Sequence, residues 1–337
     1  MNTLMETFAV IGAGSWGTTL ADLLARKGYG VRLWTRNPEL SHLIEEGREN
    51  KPYLPGVRLP DNLTATSSLA DAVEGASMIV CAVPSHGIRE VFKDIWSRIS
   101  GEALVVSASK GIEQGTHLTC CGILEEVLPE GVHGNIAVLS GPTFAKEVSR
   151  GLPAAACTAS RSGEVALRVQ RIFSTPYFRV YTNPDRIGVE LGGALKNVMA
   201  LAAGASDGLG LGNNARAALI TRGLAEMSRL GAKMGADPRT FYGLSGLGDL
   251  VLTCTGELSR NRRVGIEIGR GRSLEEILSE MRMVAEGVKT SLAARELAAM
   301  HGIEVPITEE VCRVLYEGKS PERAVMELMT RELKGEL

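Results

Sequence analysis

Two lysines, an aspartate and a cluster of arginines carry most of the chemistry that this sequence offers. Lys196 stands in Glu190-Leu191-Gly192-Gly193-Ala194-Leu195-Lys196-Asn197-Val198-Met199-Ala200, where apolar residues recur at helical spacing. A lysine beside an apolar face must pair with an acid or lose its charge, and either route makes it usable as a proton donor and acceptor. The plainer reading is a surface lysine whose stem lies along the helix. Asp249 closes Gly243-Leu244-Ser245-Gly246-Leu247-Gly248-Asp249-Leu250. It is placed either to orient such a lysine or to cap the helix that follows. Ser259-Arg260-Asn261-Arg262-Arg263 sets a guanidinium between a hydroxyl and an amide. That set suits a phosphate, although a solvated basic turn has the same composition. Together these groups provide a proton donor, charge and an anion anchor, the acid–base and binding parts of a site for an anionic substrate. They include no cofactor site.

The first strand supplies one. Val10-Ile11-Gly12-Ala13-Gly14-Ser15-Trp16-Gly17 is a G-x-G-x-x-G between a strand and a helix. Gly12 allows the tight turn, Gly14 lets the backbone approach a pyrophosphate, and Gly17 allows close helix–strand packing. The helix from Ser15 turns free N–H groups towards the phosphates. At the end of the next strand Arg36 suits a 2′-phosphate and favours NADPH, while Glu39 nearby keeps NADH open.

Ligands of open α/β sheets bind beyond the carboxyl ends of the strands. There the sequence places Lys110 in Ser107-Ala108-Ser109-Lys110-Gly111, and Ser140-Gly141-Pro142-Thr143-Phe144-Ala145 with its tight Gly-Pro loop. His86, in Pro84-Ser85-His86, is an acid/base by residue type but has no carboxylate partner in view, so it ranks below the lysines. Cys254 lies near Asp249 with no histidine close in sequence, which argues against a nucleophile.

The elements that must position these groups divide in two. Apolar runs at Phe8–Ile11, Val31–Trp34, Met78–Val83, Leu104–Val106, Ile136–Leu139 and Ala154–Cys157 alternate with helical patterns, which predicts a parallel sheet. Phe178–Tyr181 reads as an added edge strand. After the Asn183-Pro184-Asp185 turn such runs disappear. Helices are expected from Leu191 onward and over Ala215–Met234, Ser273–Ser279, Thr290–His301 and Pro321–Arg331. The fold class is therefore α/β, with a Rossmann-like, mostly parallel sheet domain over residues 1–187 and an all-helical domain over 188–337.

Bulk properties narrow the function. At 337 residues the chain is long enough for these two cores. A net charge of -2 and only 4% aromatic residues argue against nucleic acid as a partner. No signal sequence and no run near ~20 apolar residues is evident, so a cytoplasmic protein without membrane insertion is expected. The six cysteines form no C-x-x-C pair and the five histidines no H-x-x-x-H pair, so neither disulfides nor a metal are expected.

Taken as blocks, Gly12–Gly17, Ser107–Glu113, Ser140–Glu147, Leu195–Asn214, Leu244–Asp249 and Ser259–Gly265 resemble bacterial NAD(P)-dependent glycerol-3-phosphate dehydrogenase across nearly the whole chain. Thr143 stands where that family often has serine, and a hydroxyl remains. The resemblance implies reversible reduction of glycerone phosphate (dihydroxyacetone phosphate) by NADPH or NADH, with Lys196 as proton donor and acceptor, feeding phospholipid synthesis. It implies cofactor roles for Ser15, Trp16, Arg36, Tyr53, Lys110, Ala145, Arg260, Val284 and Glu286. It implies substrate roles for Lys110, Gly141, Thr143, Lys196, Asp249, Ser259, Arg260 and Asn261. The partner implied is a small-molecule substrate, and the chain is compatible with a homodimer. Two other readings stand beside it. A β-hydroxyacid or ketopantoate-like dehydrogenase would share the architecture and a helix lysine, but in the former group an asparagine typically follows four residues on, where this chain has Ala200. A non-catalytic NAD(P) sensor would need neither Lys196 nor Asp249.

Overall fold

The computed structural model describes residues 6–281, 284–333 and 335. It divides into two compact units. One comprises the residues up to Lys110 with Leu118–Glu190, the other Gly111–His117 with the residues from Leu191 onward. The chain passes from one to the other at Glu190 inside a single helix, Arg186–Gly208. Just before it, Asn183 Oδ1 accepts from the Asp185 N–H at 2.8 Å and Asp185 Oδ1 from the Gly188 N–H at 2.8 Å, so the Asn-Pro-Asp turn starts the helix.

The first unit is built on eight strands: β1 (Thr7–Ile11), β2 (Gly30–Trp34), β3 (Leu63–Thr66), β4 (Met78–Cys81), β5 (Leu104–Ser107), β6 (Ile136–Ser140), β7 (Ala154–Ser160) and β8 (Phe178–Asn183). Their order is β3-β2-β1-β4-β5-β6-β7-β8. β1 to β6 are mutually parallel, β7 is antiparallel to β6, and β8 is parallel to β7 at the edge. β4, β5 and β6 are buried at every position, which is why their sequences are near-continuous apolar runs rather than alternating ones. β3 is not among the strands expected from sequence. Its residues, Leu-Thr-Ala-Thr, bury only Leu63 and sit at the sheet edge, so they carry almost no apolar signal. The order reverses between β1 and β4, where this class of sheet opens a crevice for a ligand.

The second unit is helical, and its core gathers Leu195, Met199, Met227, Leu230, Phe241 and Leu250. Among the described residues no helix is long and apolar enough to cross a membrane. Two of its helices are not evident in the sequence pattern. Pro306–Tyr316 starts with proline, and the buried Glu226 carboxylate accepts from the Ile307 and Thr308 N–H groups at 2.9 and 3.0 Å. Arg260–Gly269 begins where a basic turn was the alternative. Ser259 is its N-cap, accepting from the Arg262 N–H at 3.2 Å.

Arg260–Gly269 packs backbone to backbone on Arg186–Gly208. A Cβ on Gly265 would overlap the Leu201 carbonyl oxygen and lie 2.9 Å from Gly204 Cα, and one on Gly204 would overlap the Arg262 carbonyl oxygen. No flexible side chain is there to yield. Gly265→Ala is expected to cost roughly 1–3 kcal/mol, in the range of overpacked cores. Gly47→Ala, where an added Cβ meets nothing within 4 Å, is expected to leave stability near the parent value. Thermal unfolding of both variants checks this, and equal midpoints would refute the close packing.

Candidate active site

In the sheet unit the three fingerprint glycines serve three separate needs. Gly12 has φ 119°, and a Cβ there would lie 2.8 Å from the Ala82 backbone. A Cβ on Gly17 would overlap the Gly12 carbonyl oxygen, so the turn and the helix close on each other only through glycine. Gly14 is different. It is the N-cap of the 12-residue helix Ser15–Arg26, and a Cβ there meets nothing within 4 Å. That is a cradle open to a pyrophosphate at a helix N-terminus.

The loop after the second helix lies against this turn. Ser15 Oγ donates to the Tyr53 carbonyl at 2.6 Å, and buried Asn50 donates through Nδ2 to the Ala13 carbonyl at 2.9 Å and to Thr18 Oγ1 at 2.8 Å. Trp16 is half-buried against the unit's core, and its indole nitrogen is buried without a hydrogen-bond partner among the described residues. Arg36 is exposed beyond the end of β2, followed by Asn37, which caps the next helix. The Ala145 carbonyl accepts from Thr19 Oγ1 at 3.3 Å, which ties the loop after β6 to the Ser15–Arg26 helix. An open pyrophosphate cradle with an exposed cation past β2 fits NAD(P).

The ends of β5 and β6 are joined by two other expected residues. Lys110 Nζ donates to the Gly141 carbonyl at 3.1 Å, and Thr143 Oγ1 donates to the same oxygen at 3.2 Å. Lys110 is half-buried, so its ammonium is held at the strand ends rather than in bulk solvent. His86 is exposed on a short turn after β4.

In the helical unit Lys196 and Asp249 meet. Lys196 Nζ donates to Asp249 Oδ1 and, at 2.9 Å, to Thr253 Oγ1. The pair is buried, with Lys196 7% and Asp249 1% exposed, so neither charge is screened by water and each depends on the other. Thr253 Oγ1 gives its own proton to the Asp249 backbone carbonyl at 2.6 Å, which leaves its lone pairs facing the ammonium. Glycine weakens a helix, and at Gly192 there is a reason for it. A Cβ on Gly192 would lie 2.7 Å from the Ser245 carbonyl oxygen, so glycine lets the Leu244–Gly248 π-turn approach the lysine helix and deliver Asp249. Thr253 is not singled out by the sequence; its only signal is its place four residues after Asp249 on one helix face.

The arginine cluster is fixed to the same helix. Asn261 Nδ2 donates to Asn197 Oδ1 at 2.8 Å, and Asn261 Oδ1 accepts from the Gly287 N–H at 3.0 Å. Asp207 accepts from Arg262 Nε at 2.8 Å and from Arg216 at 2.9 Å. Ser259 is buried as the cap, while Arg260 is exposed at the helix N-terminus. Surrounding protein disfavours the Arg260 charge and Glu286 restores part of it, with the net effect a lowered pKa; a guanidinium stays cationic at neutral pH. Glu286 opens the helix Glu286–Met300, and Val284 just before it is exposed. Burial pushes the Cys254 thiol up to about 12, partly opposed by Lys196, so it is no nucleophile at neutral pH.

Comparison with known proteins covers both units. Residues 7–166 match the family model described as NAD-dependent glycerol-3-phosphate dehydrogenase N-terminus, and residues 185–326 match its C-terminus. A glycerol-3-phosphate dehydrogenase [NAD(P)+] of Citrifermentans bemidjiense is 58% identical, over 99% of each chain. The crystal structure of glycerol-3-phosphate dehydrogenase from Coxiella burnetii superposes with a TM-score of 0.90 at 41% identity, over 97% of this chain and 99% of that one. The same enzyme from Saccharomyces cerevisiae gives a TM-score of 0.82 at 30% identity, over 97% of this chain and 99% of that one.

Proposed function

The chain belongs to the NAD-dependent glycerol-3-phosphate dehydrogenase family, and we propose that it reversibly reduces glycerone phosphate to sn-glycerol 3-phosphate with NADPH or NADH. The observation that carries the catalytic reading is the buried Lys196–Asp249–Thr253 cluster, a lysine amine hydrogen-bonded to a carboxylate and a hydroxyl inside the helical unit. Bound NAD(P)H supplies the hydride. Lys196 gives its proton to the carbonyl oxygen in reduction, and in oxidation the neutral amine takes the hydroxyl proton. Asp249 and Thr253 accept from Lys196 Nζ and set its direction. Lys110 adds positive charge near the developing alkoxide, with Gly141 and Thr143 shaping the loop around it. Arg260, at a helix N-terminus, binds the substrate phosphate, with Ser259 and Asn261 beside it. Gly12, Gly14, Ser15, Trp16, Gly17, Arg36, Tyr53, Ala145, Val284 and Glu286 complete the cofactor contacts. The six free, buried thiols suit the reducing cytoplasm.

The test is reduction of glycerone phosphate by the purified protein with each cofactor in turn. Turnover with either supports the proposal, and cofactor binding without turnover would favour a sensor. In the same assay Arg36→Ala is expected to raise the KM for NADPH several-fold more than that for NADH, since only the former carries the 2′-phosphate. An equal loss for both, or none, would remove Arg36 from that role.

A further inference from the structure

Asn50 is fully buried, and its side chain reaches the loop that opens the cofactor site. Its Nδ2 donates to the Ala13 carbonyl at 2.9 Å, between the first two fingerprint glycines, and to Thr18 Oγ1 at 2.8 Å on the first helix. A trans peptide is planar, with its C=O and N–H pointing in opposite directions. The chain has no cis peptide among the described residues. Holding the Ala13 carbonyl towards Asn50 therefore turns the Gly14 N–H the other way, at the residue whose side-chain position is open space. The other end of the amide, Oδ1, is buried without a hydrogen-bond partner among the described residues. A half-satisfied buried amide is a poor way to fill a core, because an apolar side chain would avoid the desolvation cost. What the amide achieves is the orientation of one peptide. Ser15 Oγ on the Tyr53 carbonyl, three residues further along the same loop, secures the next position.

We propose that Asn50 is a positioning residue for cofactor binding: it sets the Ala13–Gly14 peptide so that the Gly14 N–H is presented to the cofactor's pyrophosphate. The inference rests on reading Gly12–Gly17 as the cofactor loop. The pyrophosphate is common to both cofactors, so the effect of losing Asn50 must be equal for NADPH and NADH, unlike that of losing Arg36.

The experiment is fluorescence titration of both reduced cofactors into the full-length protein carrying Asn50→Asp or Asn50→Ala, with steady-state kinetics alongside. Asn50→Asp keeps the shape and sets a carboxylate oxygen against the Ala13 carbonyl, so it serves if the alanine variant does not fold. The Kd is expected to rise about tenfold, by the same factor for NADPH and NADH, with kcat at saturating cofactor and the KM for glycerone phosphate within about twofold of the parent. Thr18→Val removes the other bond of the same amide while leaving the one to Ala13, and should keep the parent Kd within about twofold. An unchanged Kd in Asn50→Asp overturns the proposal. So does an equal rise in Thr18→Val, which would make the amide a purely structural tie. Failure of the parent protein to bind NADPH or NADH would defeat the cofactor-loop reading itself, a result distinct from either.

Discussion

Lys196→Met is expected to lower kcat by roughly 10²–10⁴ while the affinity for NADPH stays near the parent value. Methionine approximates the lysine stem and removes the proton, so the loss reports acid–base chemistry rather than shape. The buried setting adds a complication that the design must meet. Asp249 is 1% exposed, and removing its partner leaves a carboxylate in the core, which costs about 3–5 kcal/mol of stability. Asp249→Asn alone has the converse effect, because it strands an ammonium and pushes Lys196 towards its neutral form. The double variant Lys196→Met/Asp249→Asn has no buried charge at this position. It should therefore regain stability over Lys196→Met while remaining as inactive as the worse single variant, since the two residues act as one unit. Stability recovered without activity separates catalysis from folding. A kcat near normal in Lys196→Met would take the lysine out of the mechanism and promote Lys110 or His86. Loss of cofactor binding together with activity would make Lys196 structural.

Arg260→Ala should reduce kcat/KM for glycerone phosphate by about 2–4 kcal/mol, the usual cost of removing one partner of a hydrogen-bonded charge pair. Arg260 is the first residue of its helix and is exposed there, while the neighbouring residues are engaged: Ser259 caps the helix and Asn261 bridges Asn197 and Gly287. The guanidinium is the cationic group of this segment placed to meet a phosphate, with the helix N-terminus adding partial positive charge. On glycerone, which has no phosphate, the parent should be poor and the variant hardly worse. The ratio of the two effects is the measurement. An equal loss on both substrates would place the phosphate clamp elsewhere. Arg260→Lys should recover only part of the loss, because an ammonium cannot form the two parallel bonds.

Several features are legible along the chain because their causes are local. The fingerprint turn lies within one strand–turn–helix unit, where Gly17 answers to Gly12 and Gly12 to the backbone just after the adjacent strand, while Gly14 faces open space. The central strands show themselves through unbroken apolar runs, since both faces of a parallel sheet are covered. β3 does not, because an edge strand that buries one leucine needs little apolar sequence. The Arg260–Gly269 helix is hidden for a related reason. Its arginines and glycines look like a turn, and it is stable because Gly265 lets it lie directly on the backbone of another helix.

The individual candidates, Lys110 in the sheet unit and Lys196, Asp249 and Arg260 in the helical unit, are all visible as residue types in unusual surroundings. Their partnerships are not. Lys196 and Asp249 are 53 residues apart, and Asn197 and Asn261 are 64 apart. No periodicity relates such positions. What sequence alone determined is the alternation of strand and helix, the glycine-rich turn after β1 and the inventory of acids, bases and cations, because these follow from spacing within single elements. The tertiary structure decided which carboxylate faces which lysine, that Thr253 joins them, and that Asn50 ties down the Gly12–Gly17 turn. Those contacts depend on how closely separate backbones approach one another, a distance set by packing around glycines such as Gly192 and invisible along the chain.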